Sequence, residues 1–138
     1  MFHKKAALLS VLSVILLPIF AHAADINLVN NTDSYGTGKV GFLCSDLAGN
    51  DGRVKPHSTF TVKQNALDLV CSGTCEAEVF LTKNCSGKTI AKAKLDNKKG
   101  VISVTNLDKV HYTISGGGTN ITIDQITNGW PKWLDLIF

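Results

Sequence analysis

The sequence predicts an all-β domain, an antiparallel β-sandwich or small barrel of about nine short strands. Three observations carry that expectation. Apolar and polar residues alternate with a period of two over most of the chain. Clusters of Asn, Gly, Ser and Asp break the alternation at roughly 8–12-residue spacing, as in all-β domains. β-Branched residues crowd the alternating segments, as a pleated, half-buried surface requires.

The elements follow in chain order. Ile26 and Leu28 alternate with Asp25, Asn27 and, after Val29, Asn30, up to the turn Asn30-Asn31-Thr32-Asp33. Val40-Gly41-Phe42-Leu43-Cys44 reads as a second strand, closed by the breaker Ala48-Gly49-Asn50-Asp51-Gly52. Phe60 and Val62 alternate with Thr59, Thr61 and Lys63. Leu67, Leu69 and Cys71 fall on one face of a fourth strand, which Ser72-Gly73-Thr74 turns into a hairpin with the segment 76–82. Ala77, Val79 and Leu81 share a face of that segment. After Ser86-Gly87, Ala91, Ala93 and Leu95 oppose Lys92 and Lys94. After Asn97-Lys98-Lys99-Gly100, Ile102 and Val104 oppose Ser103 and Thr105. Val110, Tyr112 and Ile114 oppose His111 and Thr113, up to the turn Ser115-Gly116-Gly117-Gly118. Ile121 and Ile123 form the last alternating pair.

The two ends depart from this pattern. Lys4 and Lys5, the uncharged stretch 6–20 and the sequence Ala21-His22-Ala23 make a secretory signal peptide over residues 1–23, with Ala24 as the first mature residue. A membrane span needs about 20 apolar residues, more than this stretch offers. No cysteine stands at the cleavage point, so lipid anchoring is not expected there. Residues 24–138 then form a single domain, periplasmic or secreted. At the C-terminus, Pro131 suits the first position of a short turn or helix. Trp130, Trp133, Leu134 and Ile137 follow i, i+3, i+4, i+7 spacing. A terminal turn docking its two Trp rings on one end of the sandwich is the expected arrangement. Trp130 and Trp133 as an aromatic partner or membrane contact is the alternative. The terminal Phe138 with Leu134 and Leu136 also resembles the last strand of outer-membrane barrels. Those strands are about 9–11 residues long, and Pro131 interrupts this one.

The four cysteines, Cys44, Cys71, Cys75 and Cys85, all fall in the mature chain. An exported chain meets an oxidising compartment, which favours disulfides. Zinc is the competing use, but no C-x-x-C pair or His cluster accompanies them. Strand spacing selects the pairing. A strand rises about 3.3 Å per residue, so an extended segment 76–82 holds Cys75 and Cys85 on the order of 25 Å apart, beyond the roughly 7 Å a bridge spans. The hairpin sets Cys71 opposite Cys75, leaving Cys85 for Cys44. A bulge or break near Phe80 would readmit Cys75–Cys85.

Charge narrows the function. Without Lys4 and Lys5 the chain carries twelve basic and eleven acidic residues, a balance pointing neither to nucleic acid nor to a membrane surface. The charge is uneven: residues 83–109 hold seven lysines against two aspartates. Alternation places Lys88, Lys92 and Lys94 on one face. Such a stripe fits an anionic glycan or lipid surface, or an acidic protein, while protection of an edge strand is the simpler reading. It has no interleaved aromatics for stacking bases.

Catalytic patterns are poor. His57 and His111 are the only histidines after residue 23, and no nucleophile motif accompanies them. Glu76 and Glu78 lie two apart on one strand face, a surface pattern before a catalytic pair. The loop from Asp46 to Gly52 has Ala48 and Asp51 where a calcium loop needs a ligand and a glycine. Gly116-Gly117-Gly118 lacks the following helix of an anion nest. Sequons at Asn30, Asn84 and Asn120 matter only in a glycosylating host. No cofactor is expected.

Ile26-Asn27-Leu28-Val29-Asn30-Asn31-Thr32, with Pro56-His57-Ser58-Thr59-Phe60-Thr61-Val62, looks like the start of thaumatin-like sandwiches, over less than a third of the chain. The resemblance implies a strand, an Asn turn and a Pro/Ser-headed strand. It brings neither the family's dense cysteine framework nor any residue role. The whole chain is similar to small exported proteins of Gram-negative bacteria, which implies location. A non-catalytic exported binding module is the leading expectation, and a secreted inhibitor of a hydrolase the alternative. A β protein associated with the outer membrane ranks third.

Overall fold

Nine strands form among the described residues, which run from 25 to 126 in the computed structural model. They are β1 (Ile26–Asn31), β2 (Thr37–Val40), β3 (Leu43–Cys44), β4 (Ser58–Val62), β5 (Thr74–Phe80), β6 (Thr89–Asp96), β7 (Gly100–Asn106), β8 (Tyr112–Gly117) and β9 (Asn120–Gln125). A 3-10 segment (Ser45–Gly52) follows β3, and a short helix α1 (Gln64–Val70) follows β4. The signal segment, Trp130 and Trp133 lie outside the described residues.

The strands build two open sheets, one ordered β4-β1-β9-β8 and the other β3-β2-β5-β6-β7. This is a sandwich and not a closed barrel. One pairing departs from the antiparallel expectation: β1 and β9 run parallel, with Leu28 opposite Ile121 and Asn30 opposite Ile123. The remaining strand pairings are antiparallel.

The sheets are sewn together along one flank. Val101 and Gly118 exchange two backbone hydrogen bonds of 2.8 Å, linking β7 to the end of β8. Gly100 beside them has φ +84°, and a Cβ there would stand 2.3 Å from the Gly118 carbonyl oxygen, so only glycine fits. Near this flank lie two apolar clusters. One joins Ile26, Leu67, Cys71, Leu95, Val101 and Ile121, and the other Ile90, Ala91, Ile114 and Ile123.

One end of the sandwich is closed by Asn30, at 3% exposure. Its Nδ2 donates to the carbonyls of Ser34 at 2.8 Å, Lys55 at 3.2 Å and Val54 at 3.4 Å. Its Oδ1 accepts from the Thr32 hydroxyl at 2.7 Å and the Thr32 N–H at 3.1 Å. A backbone bridge between Gly36 and Val54, 2.9 Å in both directions, lies alongside. Buried polar groups persist only when paired, and Asn30 is paired on both sides of its amide. That burial also removes it as a sugar acceptor in the folded chain.

Several local expectations are corrected. Residues 67–71 are not a strand. Leu67 and Cys71 are buried in an i, i+4 relation, while Leu69 between them is exposed, which is helical geometry. Asp25 starts that helix by accepting from the Gln64 N–H at 2.9 Å. Residues 40–44 are a hairpin, because Gly41 takes φ +59° and turns the chain between β2 and β3. Phe42 therefore stands fully exposed at its tip. Val110 and His111 belong to the turn before β8, held by the Tyr112 N–H donating to the Asp108 carbonyl at 3.0 Å. Gly116 and Gly117 pair with Ile121 and Asn120 inside a strand, and the turn falls at Gly118 and Thr119.

The disulfides join Cys44 to Cys85 and Cys71 to Cys75, with Cα atoms 6.0 and 5.5 Å apart. Cys85 stands in the loop after β5, so its bridge holds the β2–β3 hairpin against that loop. Thr37 reinforces the join: its hydroxyl donates to the Thr82 carbonyl at 2.9 Å and accepts from the Cys85 N–H at 3.0 Å. The Cys71–Cys75 bridge ties the end of α1 to β5. The register does shift between Val79 and Phe80, yet Cys75 stays paired with Cys71.

Replacing Asn30 with Ala leaves the Thr32 N–H without its acceptor and takes one donor from the Ser34 and Lys55 carbonyls, which keep the Thr32 and Ser58 hydroxyls. Denaturant unfolding of Asn30→Ala is expected to show a loss of about 1–3 kcal/mol, the cost of buried polar groups left unpaired. An unchanged midpoint would mean that the end network is not structural.

Candidate ligand cavity between the sheets

The inner face of the larger sheet is built from small side chains. Its registers align Val40 with Ala77 and Ala93, and Gly38 with Val79 and Ala91. Opposite lie Ile26 and Leu28 from β1, paired with Val62 and Phe60 from β4. Stacked sheets stand about 10 Å apart, and glycine and alanine cannot reach halfway across. Where large residues project from both sheets, near β7 and β8, the interior fills. Towards β4 and β2 it does not.

The result is an apolar cavity of about 240 Å³. Leu28, Val40, Phe60, Val62, Ala77 and Val79 line it, and each keeps partial exposure although it points inward. Between β4 and the β2–β3 hairpin the Gly36–Val54 bridge ties the chain ahead of β2 to the segment ahead of β4. Leu43 and Val70 also line it and are partly exposed to solvent. Phe42, Leu47 and Leu69, on the hairpin, the 3-10 segment and α1, are largely exposed.

Polar atoms at the wall are already engaged. Asn30 and Thr37 are paired as described, and the Ser45 hydroxyl accepts from the Gly38 N–H at 3.1 Å. The cavity therefore offers a guest apolar contact with little polar recognition. An apolar cavity of about 150 Å³ holds a benzene ring, so this one takes a larger ring system or a short alkyl chain.

The lysines expected as a stripe do not form one. β6 lies between β5 and β7, which removes the edge-protection reading. A register shift at Val79/Phe80 breaks the alternation: Ile90, with the same parity as Lys92, is buried against Ile114 and Ile123. Lys88 lies before the strand and pairs with Asp108 at 3.6 Å. Lys92 and Lys94 stand opposite Glu78 and Glu76, with a Lys92–Glu76 contact of 3.8 Å. The face is a mixed ladder of Lys and Glu, which cancels most of its field.

Neither histidine is among the described residues that line the cavity. His57 contacts Asp33 at 2.6 Å, and His111 Nδ1 contacts Asp108 at 2.9 Å; both rings are mostly exposed. All four cysteines are in disulfides. Burial pushes the Asp108 carboxyl up, but hydrogen bonds from the His111 ring and N–H, with the charges of His111 and Lys88, outweigh it and hold Asp108 below the usual carboxylate range. The cavity went unseen in the sequence. Its one legible signal was the run of Gly38, Ala77, Ala91 and Ala93 at inward positions.

No family model and no curated protein sequence matches the chain, so the thaumatin-like opening stays a resemblance. A solved structure does match: NttC, a type II secretion system substrate of Legionella pneumophila, with a TM-score of 0.60 and 17% identity. The match covers 76% of this chain and 100% of that one. The likeness shows a shared fold.

A carboxylate held below its ordinary value adds stability at neutral pH that is lost as pH falls through the lowered value. Asp108→Asn is therefore expected to flatten the acid limb of a stability–pH profile below about pH 4. Superimposable acid limbs would show that the cluster around Asp108 contributes nothing.

Proposed function

We propose that this is a non-catalytic exported binding module that holds a small apolar molecule between its sheets. The observation that carries the reading is the cavity, apolar on both walls. Ligand sites are concave and mostly apolar, with few polar groups, and this one is at the small end of the range. Export is supported by the signal pattern at residues 1–23, by the two disulfides and by the description of the structural neighbour as a secreted substrate. Periplasmic retention and release outside the cell are both compatible with these supports. The non-catalytic reading is supported by the apolar character of the lining, in which neither His–Asp pair takes part among the described residues.

A second reading is a secreted inhibitor of a hydrolase. The hairpin tip favours it, because Phe42 is fully exposed two residues before the bridged Cys44 and so is presented on a stapled loop. An anionic surface contact through Lys88, Lys92 and Lys94 finds less support, given Glu76, Glu78 and Asp108 beside them.

Calorimetric titration with straight-chain alcohols tests the leading reading. 1-Octanol is expected to bind saturably at one site with a negative heat-capacity change, the mark of apolar burial. Ala77→Phe fills the cavity from its floor and is expected to abolish binding while stability holds or rises, since cavity filling commonly adds about 0.5–2 kcal/mol. Unaltered octanol binding by a folded Ala77→Phe protein would place the guest elsewhere.

A further inference from the structure

Among the described residues the two sheets differ by one strand, and the difference falls at one edge. The Val101–Gly118 bridge sets β7 against β8. Next to it β6 lies against β9, since Ile90 and Ala91 share a cluster with Ile123. β5 lies against β1, since Ala77 packs on the cluster of Ile26. β2 then faces β4, and Val40 lines the gap with Phe60 and Val62. That leaves β3 without a strand opposite it, and its Leu43 lines the gap while 52% exposed. We propose that the outer edge of β4 receives a donated strand: an extended peptide segment of a partner protein, apolar at alternate positions and acidic at its ends. The segment takes the fifth position of the smaller sheet, opposite β3. It is independent of any small guest in the gap.

The backbone of β4 is set up for such a partner. The Asn27 N–H donates to the Thr119 carbonyl at 2.7 Å, so Asn27 and Val29 direct their backbone groups toward β9. Ile26, Leu28 and Asn30 direct theirs toward β4, where they engage Val62, Phe60 and Ser58. Thr59 and Thr61 therefore turn their N–H and C=O groups away from β1, and these have no backbone partner among the described residues. An antiparallel strand exchanges both hydrogen bonds with each threonine, the mode of β-strand addition. Natural sheet edges are blunted by lysine, proline or a bulge, and β4 carries none of these from Ser58 to Val62. Donated residues facing Ser58, Phe60 and Val62 project to the inner side, toward Leu43, where apolar side chains suit. Lysines flank the edge at both ends. Lys63 shares Asp25 at 3.5 Å, and Lys55 is exposed and outside the ion pairs of the described residues. Acidic ends on the segment complement them. A second copy of this chain does not fit the edge. It carries its own β2–β3 hairpin opposite its own β4, and that hairpin claims the space of Leu43. The position takes a lone strand.

The probe is the synthetic peptide acetyl-Asp-Val-Thr-Val-Thr-Val-Asp-amide, titrated into the full chain with both disulfides formed and followed by amide hydrogen exchange. In the free protein the Phe60 amide is expected to be protected and those of Thr59 and Thr61 to exchange freely. Saturating peptide is expected to slow both threonine amides. Thr59→Pro removes an outward donor and spares the ladder to β1, a change that edge strands tolerate. It is expected to weaken the peptide about tenfold, as the loss of one hydrogen bond does. N-methylation of the two peptide threonines is expected to weaken it at least as much and leaves the protein unaltered. Lys55→Glu is expected to weaken this peptide at low salt and not one ending in Asn. Thr59 and Thr61 amides already protected in the free chain overturn the proposal, because the edge is then covered by the chain itself or by a second copy. Absence of saturable binding also overturns it. So does equal binding of the N-methylated peptide, or binding that leaves both threonine amides fast.

Discussion

The side chain of Asn30 sets the geometry on which the rest depends. It is buried at the end of β1 and uses its amide in both directions, donating to the segment before β4 and accepting from the turn after β1. A strand end tied in this way holds the turn across the end of the sandwich. At the other flank Val101 and Gly118 join the sheets by backbone alone. Gly36 and Val54 tie the chain ahead of β2 to the segment ahead of β4, and the small inward side chains of β2, β5 and β6 leave space unfilled between these ties.

That arrangement has a thermodynamic cost. Side chains that line a gap forgo packing contacts they would have in a filled core. The two disulfides offset such a loss by restricting the unfolded chain, more through the bridge that closes 41 residues than through the one that closes 4. A guest that occupies the gap returns part of the lost contact energy.

Much of the fold was legible in the sequence, and the failures have physical causes. Alternation located β1, β4, β6, β7 and β9, because each buries one face. Nine strands were expected and nine formed, but only because residues 67–71 became a helix while 40–44 split into part of one strand and all of another. The helix had a readable sign: Leu67 and Cys71 are four apart, and β alternation gave no reason for Leu69 to be exposed. The lysine stripe failed because one bulge reverses the parity of everything before it. The cavity was out of reach because it depends on strand order, above all on the parallel pairing of β1 with β9, which no local pattern encodes.

The central claim is that the space between the sheets is hollow on the β4 side and packed on the β8 side. Methyl-resolved NMR under xenon pressure tests it, because xenon enters dry apolar cavities and needs no polar contact. The account predicts saturable shifts of the methyls of Leu28, Val40, Val62 and Val79, with those of Ile90 and Ile114 unmoved. Uniform shifts across both groups, or none in the first, would contradict it.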